Sequence, residues 1–197
     1  MSSNTLAKPK LSSRFESALV YATRLHANQV RKGSDIPYVS HLLSVAALVL
    51  EDGGNEDEAI AALLHDAIED QGGAKTREEI RQQFGEKVVT IVDGCTESEV
   101  IPKPPWKQRK QEHIERMRSA SPEVRRVSQA DKLHNIRSTL ADWYREGEAV
   151  WHKFKGGKEG TLWYYRSLLA IYQETGSSFL CAELERAITL LEQVTHN

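Results

Sequence analysis

The chain has 197 residues, 40% of them hydrophobic and 27% charged, and a formal net charge of -2 at pH 7. This composition is typical of a globular protein with one sizeable core, and it excludes a disordered chain. No apolar run is long enough to span a membrane and the N-terminus lacks the apolar stretch of a signal peptide, so we expect a cytoplasmic protein without a membrane partner. The near-neutral charge gives no support for a nucleic-acid partner.

Residues 1–12 are polar and predict a flexible N-terminal arm. Residues 13–197 show no composition break and no internal repeat, so we predict that they form a single domain. Within that domain, apolar residues recur at helical spacing and no strand pattern appears. The sequence therefore predicts an all-α fold.

The predicted helices follow in order, separated by glycines and prolines. The first runs from Ser13 to about Gln29, and the second covers Leu42 to Leu50. The third has its cap at Asn55 or Asp57 and continues unbroken to residue 71. The later helices are predicted at 76–84 with a capping box at Thr76, at 86–95, from Lys107 to Met117, from a Ser121 cap through Asp131, from Trp143 to Phe154, from Leu162 to Glu174 and from Phe179 to Val194, with loops at 101–106 and 155–160.

The third predicted helix ends in potential metal ligands. Residues 59–64 are all apolar, so this part of the helix should be buried, and it carries His65 and Asp66 inward. A buried carboxylate beside an imidazole needs a compensating charge, and a divalent metal supplies it directly. Glu69 follows one helical turn later on nearly the same face. The stretch therefore indicates a metal site with a neighbouring acid or base, although a lone His-Asp pair can also be a helix end with a solvated carboxylate.

The second half of the chain adds further candidates. Asp131, Asn135 and Ser138 lie at i, i+4 and i+7 of one predicted helical face, and His41 lies in the first turn of another apolar helix. His41, His65, Asp66 and Asp131 together provide two nitrogen and two oxygen ligands. Residues 103–137 contain ten Lys or Arg against four Asp or Glu, whereas residues 51–86 contain eleven Asp or Glu against three Lys or Arg. The basic segment could attract an anionic substrate toward the metal.

These motifs resemble a known family. Arg31-Lys32 with Pro37-Tyr38-Val39-Ser40-His41, then His65-Asp66-Ala67-Ile68-Glu69-Asp70, then the segment from Ala130 to Ser138 (ADKLHNIRS) are similar to the motifs of HD-domain metal-dependent phosphohydrolases. The resemblance is narrower to the small alarmone hydrolases and the hydrolase domain of Rel/Spo proteins. It implies an HD-type helical bundle that removes the 3′-pyrophosphate from (p)ppGpp-like purine nucleotides, with (p)ppApp as a further possible substrate.

The resemblance also implies roles for individual residues. One divalent ion would be bound by His41, His65, Asp66 and Asp131, and this ligand set favours Mn²⁺ over a structural zinc. Glu69 and Asp70 would position a water molecule or accept its proton. The substrate-binding residues would be Arg31, Lys32, Tyr38, Lys107, Asn135, Ser138 and Tyr164, and Lys103 is a further candidate.

Several alternatives stay open from the sequence. The chain could be an HD-type 5′-nucleotidase or cyclic-nucleotide enzyme, or a non-catalytic module that binds a nucleotide. Arg31 and Lys32 taken alone could be surface cations, and Tyr164 could belong to the core. The sequence does not distinguish guanine from adenine, because an arginine can stack on any purine, and it does not give the oligomeric state.

Overall fold

The computed structural model describes residues 11–98, 102–174, 176 and 178–195, and this part of the chain is all-α, as predicted. Its one pairing of β type is an isolated bridge between Val30 and Pro37. The α-helices are α1 (Ser13–Leu25), α2 (Val39–Glu51), α3 (Glu56–Leu64), α4 (Ala67–Gln71), α5 (Gly73–Phe84), α6 (Glu86–Cys95), α7 (Trp106–Ser119), α8 (Pro122–Glu146), α9 (Gly157–Glu174) and α10 (Phe179–Thr195), with a 3-10 helix at Gly147–Lys153.

Helix α3 lies at the centre of the fold. It packs against α1, α2, α6 and α8, and all its residues from 59 to 64 are completely buried. Three of these six residues are alanines, whose small side chains let neighbouring helices approach closely while keeping a high helix propensity. The N-terminus of α3 has a capping box, in which Asn55 accepts from the backbone of Glu58 and Glu58 accepts from the backbone of Asn55. The cap and the buried apolar residues together fix the position of α3, including its C-terminal end, in the core.

Helix α8 is the longest helix and packs against α2, α3, α6 and α10. Ser121 caps it by accepting a hydrogen bond from the backbone of Val124 at 3.3 Å, and Pro122 occupies the first turn, as predicted. Gly94 of α6 lies against this first turn, because a Cβ atom at position 94 would come within 2.6 Å of Val124 Cγ2. Since α2, α3 and α8 are mutual neighbours, side chains from all three can meet in one place.

The first and third helices differ from the prediction. Helix α1 ends at Leu25 and not near Gln29. Gln29 instead begins a hairpin-like loop over residues 29–38, in which Arg31 N donates to Ile36 O and Tyr38 N donates to Gln29 O. The predicted third helix is broken into α3 and α4 at His65 and Asp66. Asp66 keeps a φ of -100° and a ψ of -2°, so the chain turns there without a glycine or proline.

Three later predictions are wrong. Thr76 is not the start of a capping box, because α5 already begins at Gly73 and Thr76 lies inside it. No separate helix begins at Trp143, because α8 continues to Glu146 and a 3-10 helix follows. Residues 155–160 are not all loop, because α9 begins at Gly157, where a φ of +60° suits glycine.

Four further predictions concern the proline-rich loop, the N-terminal arm, the single domain and the absence of a membrane span. Residues 102–105 are non-helical, as their prolines predict, whereas Ile101 lies outside the described residues. Trp106 was also predicted to lie in this loop, but it is the first residue of α7. Most of the predicted N-terminal arm also lies outside them, and Ser12 caps α1 by accepting from Arg14 N. The single-domain assignment of residues 13–197 stays a prediction. None of the helices that the structure describes has the length and apolar character that a membrane span needs.

Candidate active site

Four buried or partly buried side chains from α2, the α3–α4 junction and α8 converge in the core. His41 lies in the first turn of α2, His65 and Asp66 lie between α3 and α4, and Asp131 lies on the buried face in the first half of α8. His41, His65 and Asp131 are 1%, 3% and 8% exposed. The break between α3 and α4 therefore places two consecutive side chains in the same cluster, which a continuous helix would point about 100° apart.

The ligand atoms of the cluster are close enough to bind one ion. His41 Nε2 lies 3.2 Å from Asp131 Oδ1 and 3.8 Å from Asp66 Oδ2. His65 Nε2 lies 3.0 Å from Asp66 Oδ2 and 3.7 Å from Asp131 Oδ1. Bonds of about 2.0–2.2 Å to a single ion place neighbouring ligand atoms roughly 3.0–3.5 Å apart. Two of the four separations fall in this range and the other two are slightly longer, so the four predicted metal ligands lie close together.

The hydrogen-bonding state of His65 favours a cation at this position. Its Nδ1 atom lies 2.7 Å from the carbonyl oxygen of Ala62, which can only accept, so Nδ1 carries the proton. In the neutral ring, its Nε2 atom then presents a lone pair toward the carboxylate oxygens of Asp66 and Asp131, which lie at 3.0 Å and 3.7 Å. A lone pair that faces carboxylate oxygens is repelled by them unless a cation lies between the two. The donor set therefore fits a divalent metal ion.

The charge of the cluster gives independent support. Burial lowers the pKa of His65, but the carboxylates of Asp66 and Asp131 outweigh it and raise the pKa well above its usual value. The two carboxylates thus attract positive charge to His65, which either a proton or a metal ion can supply. Lys132 Nζ donates to the other oxygen of Asp131 at 2.6 Å and neutralises part of the charge.

His134 is a member of this site that was not among the residues predicted from the sequence. Its Nδ1 atom lies 2.8 Å from His41 Nδ1, so one ring donates to the other. Burial lowers the pKa of His134 to about 4, with help from His41 and Arg31, and the neutral ring can accept the proton of His41 Nδ1. His41 then keeps its Nε2 lone pair for a metal, an arrangement common among metal-binding histidines. Its position three residues after Asp131, on the same buried helix, was the available signal.

The two predicted catalytic carboxylates lie in different places. Asp70 lines a cavity beside the cluster and accepts a hydrogen bond from Gln29 Nε2 at 2.8 Å. Glu69 instead accepts from Lys103 Nζ at 2.6 Å and from the backbone of Glu97 at 2.9 Å, and it is absent from the cavity lining. The break at Asp66 changes the direction of the helix, so Glu69 does not share the face of His65 that a continuous helix predicts.

The cavity has a volume of about 850 Å³ and adjoins the cluster. Four of its lining residues bond directly to cluster side chains. Tyr38 Oη donates to Asp66 at 2.5 Å, Asn135 Nδ2 donates to Asp131 at 2.5 Å, and Lys132 and His134 make the contacts described above. The four cluster residues therefore lie directly behind one wall of the cavity.

Most of the predicted substrate-binding residues line this cavity. They are Arg31, Lys32, Tyr38, Asn135, Ser138 and Tyr164. Asn135 is already engaged, because it also accepts from Arg31 at 2.7 Å. Lys107 does not line the cavity, because its ammonium group lies 3.0 Å from the ring centre of Trp163 in a cation–π contact. Lys103 lies outside the lining as well, since it pairs with Glu69.

The cavity has more cations than the sequence analysis identified. Its described lining contains eight Lys or Arg residues and only two Asp residues. Six of the eight were not predicted by name, and they are Arg109, Lys110, Lys132, Arg145, Lys153 and Lys155. The basic excess of residues 103–137 was a signal for three of them. The other three come from the end of α8 and the following segment, which only the tertiary fold brings to the cavity.

This chain is similar to curated proteins that are named for one activity. A relative from Xenopus tropicalis named guanosine-3′,5′-bis(diphosphate) 3′-pyrophosphohydrolase MESH1 is 38% identical over 120 residues, which are 59% of this chain and 64% of the relative. A guanosine-3′,5′-bis(diphosphate) 3′-pyrophosphohydrolase from Aquifex aeolicus is 35% identical over 133 residues, which are 66% of this chain and 18% of the relative. The match thus spans less than two thirds of the length of either relative.

The fold has a close counterpart among solved structures. A metazoan ortholog of SpoT, described as a protein that hydrolyzes ppGpp, matches with a TM-score of 0.74 over 92% of this chain and 97% of its own, at 24% sequence identity. The sequence model of the HD domain family matches residues 18–162, which are well over half of the chain. The resemblance seen in the motifs is therefore confirmed, and this chain belongs to the HD domain family.

Proposed function

We propose that this protein is a metal-dependent phosphohydrolase that removes the 3′-pyrophosphate from guanosine-3′,5′-bis(diphosphate) or from its adenine counterpart. The observation that carries the proposal is the cavity. Eight cationic side chains line it, and it adjoins the cluster of histidine and aspartate side chains described above. Relatives named for this activity support the same conclusion. A small phosphoester would not need so many cations, whereas a nucleotide with two diphosphate groups carries several negative charges.

Some of these cations are available to a ligand. Arg31, Lys32 and Lys155 have no carboxylate within ion-pair distance among the described residues, although Arg31 donates to Asn135. Arg31 also lies 5.7 Å from the ring centre of Tyr38, so its flat guanidinium and the tyrosine form a surface on which a purine can stack. By contrast, Arg109 and Lys110 share Glu97, which holds them at the cavity wall.

We assign the metal position to His41, His65, Asp66 and Asp131, and Mn²⁺ as the ion, because two imidazoles and two carboxylates suit a hexacoordinate ion with open positions. A divalent ion there would supply Lewis-acid activation of a phosphoryl oxygen and of water.

Asp70 is the protein group that we assign to proton transfer. Burial raises its pKa, and the nearby carboxylate of Asp66 raises it further, so Asp70 is a stronger base than a solvated aspartate. In the proposed reaction, Asp70 accepts a proton from the water that attacks the phosphorus joined to the 3′ oxygen. The bond between that phosphorus and the 3′ oxygen breaks and pyrophosphate leaves. The 3′ oxygen takes up a proton from solvent, and Asp70 releases its proton to solvent. Glu69 would first have to leave Lys103 to reach the cavity.

The proposal is tested by incubating the purified protein with Mn²⁺ and a panel of ppGpp, ppApp, deoxynucleoside monophosphates and cyclic nucleotides, with products separated by ion exchange. We expect pyrophosphate from ppGpp or ppApp, and no comparable release of phosphate from the monophosphates. Preferential hydrolysis of monophosphates would favour a 5′-nucleotidase. Tight nucleotide binding without any turnover would favour a non-catalytic binding module.

The cationic wall gives a second prediction. We expect Arg31→Ala and Lys32→Ala each to raise KM for ppGpp about tenfold, the scale of one charge-assisted contact, while KM for a small generic phosphoester changes little. The difference should shrink at high salt, because salt screens exposed charges. The measurement is KM for both substrates at two ionic strengths. Lys75→Ala is the matched control, since Lys75 is an exposed lysine of α5 outside the cavity lining. Equal losses for both substrates would contradict the assignment.

A further inference from the structure

We infer that Gln29 and His26 are positioning residues, which hold the carboxylate of Asp70 against the cavity through a chain of hydrogen bonds. The inference rests on the proposed function, which gives Asp70 its role in proton transfer. Neither residue was predicted to act in the site, and the predicted first helix ended at about Gln29. The structure places both between α1 and the loop that carries Arg31 and Lys32.

The direction of each hydrogen bond follows from Asp70. An ionised carboxylate only accepts, so the atom of Gln29 that lies 2.8 Å from Asp70 Oδ2 is its amide nitrogen. The amide oxygen of Gln29 then accepts twice, from His26 Nδ1 at 2.6 Å and from Gln71 Nε2 at 2.5 Å. The side chain of Gln29 therefore cannot turn over without losing all three bonds. His26 in turn must carry its proton on Nδ1.

The environment of His26 supports a role beyond packing. The residue is only 2% exposed, and its Nε2 atom has no hydrogen-bond partner among the described residues. A buried nitrogen without a hydrogen bond destabilises the folded protein, and an aliphatic side chain of similar size would avoid this penalty. The histidine at this position therefore points to a function for its Nδ1–H group. Its ring also stacks on Tyr38 at a centroid distance of 5.4 Å, and Tyr38 bonds to Asp66. His26 thus contacts Gln29, which bonds to Asp70, and Tyr38, which bonds to Asp66.

Asp70 needs such a constraint because it has space on two sides. It lines the large cavity, and together with Gln29 it also lines a smaller cavity of about 410 Å³. The remaining lining residues of the smaller cavity are Leu25, Asn28 and Gln71. Without the bond from Gln29, the carboxylate can rotate into this second space and away from the substrate. A displacement of this kind lowers the rate of proton transfer without removing a substrate contact.

The first test is Gln29→Ala, with Gln83→Ala as the matched control, because Gln83 is an exposed glutamine of α5 that lines neither cavity. We expect kcat of Gln29→Ala to fall about 10- to 100-fold, the usual scale for the loss of a supporting hydrogen-bond partner, while KM and metal content stay within twofold of wild type. The control should behave as wild type. A kcat equal to that of the control, or a fall in metal content that matches the fall in kcat, would overturn the inference.

Two substitutions of His26 separate positioning from packing. His26→Asn supplies an amide N–H close to the position of Nδ1 and can still donate to Gln29, whereas His26→Leu fills the space but cannot donate. We expect His26→Asn to keep most of the wild-type kcat and His26→Leu to lose as much as Gln29→Ala. The double variant His26→Leu/Gln29→Ala should be no slower than Gln29→Ala alone, because both act through one chain. Equal activity of the Asn and Leu variants would overturn the role of His26.

A crystal structure of Gln29→Ala provides a readout that does not depend on the substrate. We expect the Asp70 side chain to leave the orientation that it has in wild type and to turn toward the smaller cavity. An unchanged Asp70 orientation would overturn the inference even if the wild-type enzyme is fully active. If the wild type releases no pyrophosphate from any nucleotide, the proposed function fails, while this structural comparison still decides whether Gln29 positions Asp70.

Discussion

Replacement of His65 by alanine is expected to lower kcat/KM by about 10³-fold or more. A bound metal contributes several kcal/mol of charge stabilisation to a phosphoryl-transfer transition state, and each 1.36 kcal/mol corresponds to a factor of ten. His65 is a better choice for replacement than Asp131, because loss of Asp131 would also leave Lys132 buried without its carboxylate.

Thermal unfolding separates a lost metal from a damaged fold. At a concentration about 100-fold above Kd, Mn²⁺ should stabilise the wild type by about 2.7 kcal/mol, which corresponds to a rise in Tm of about 5–10 °C for a chain of this size. His65→Ala should show no such rise when Mn²⁺ is added, and its own Tm should lie below that of the metal-free wild type because the buried ring leaves a cavity. His152→Ala is the matched control, because His152 is exposed and outside the cavity lining. A full rise in Tm and full metal content in His65→Ala would remove His65 from the ligand set.

The four ligand candidates could be found from the sequence because each lies on, or directly after, a helical face with an apolar pattern. Burial of residues 59–64 carries the adjacent His65 and Asp66 inward whatever the topology, and the spacing of Asp131 and Asn135 places them on one helical face. The structure brings all four side chains together, as their pattern predicts. Their roles as ligands stay predictions until a metal is measured.

The partners of these residues could not be predicted in the same way. Gln29 and Asp70 are 41 positions apart, and Arg31 and Asn135 are 104 positions apart, so only the tertiary fold brings them into contact. Helical periodicity relates residues three or four positions apart, so it gives no indication of contacts between such distant positions. The placement of Glu69 failed for a related reason, since helix propensity gives no signal for the break at His65 and Asp66.

The start of α9 shows how packing overrides a local signal. Gly156, Gly157 and Gly160 predict a loop, but a Cβ atom at Gly156 or Gly160 would come within 3 Å of the Trp106 ring. These glycines therefore let the start of α7 pack closely against the start of α9. The close packing, and not flexibility, explains the glycines at 156 and 160, and it places the basic residues of α7 at the cavity.

The largest effect on stability is expected from Arg126→Ala. Arg126 of α8 bonds to Asp52 at the end of α2, at 2.9 Å, and to Glu58 in α3. The side chains of Asp52 and Glu58 are only 6% and 2% exposed, so removal of the guanidinium leaves two carboxylates buried without their cation. Loss of one partner of a buried pair costs roughly 3–5 kcal/mol. We expect a value near the lower end, about 3 kcal/mol, because 28% of the Arg126 side chain is exposed.

Urea or thermal unfolding of the metal-free protein measures this effect without involving the active site. Arg81→Ala is the control, because Arg81 forms two exposed ion pairs, with Glu78 and Glu86, and its loss should change the free energy of unfolding by no more than about 0.5 kcal/mol.

Adding Glu58→Gln to Arg126→Ala should recover part of the lost stability. A neutral amide is cheaper to bury than an unpaired carboxylate, and it can still accept from Asn55 N. If the two single arginine variants are equally stable, Arg126 makes no special contribution to the contact between α2, α3 and α8. If Glu58→Gln brings no recovery, the cost of Arg126→Ala comes from lost packing of its aliphatic stem and not from buried charge.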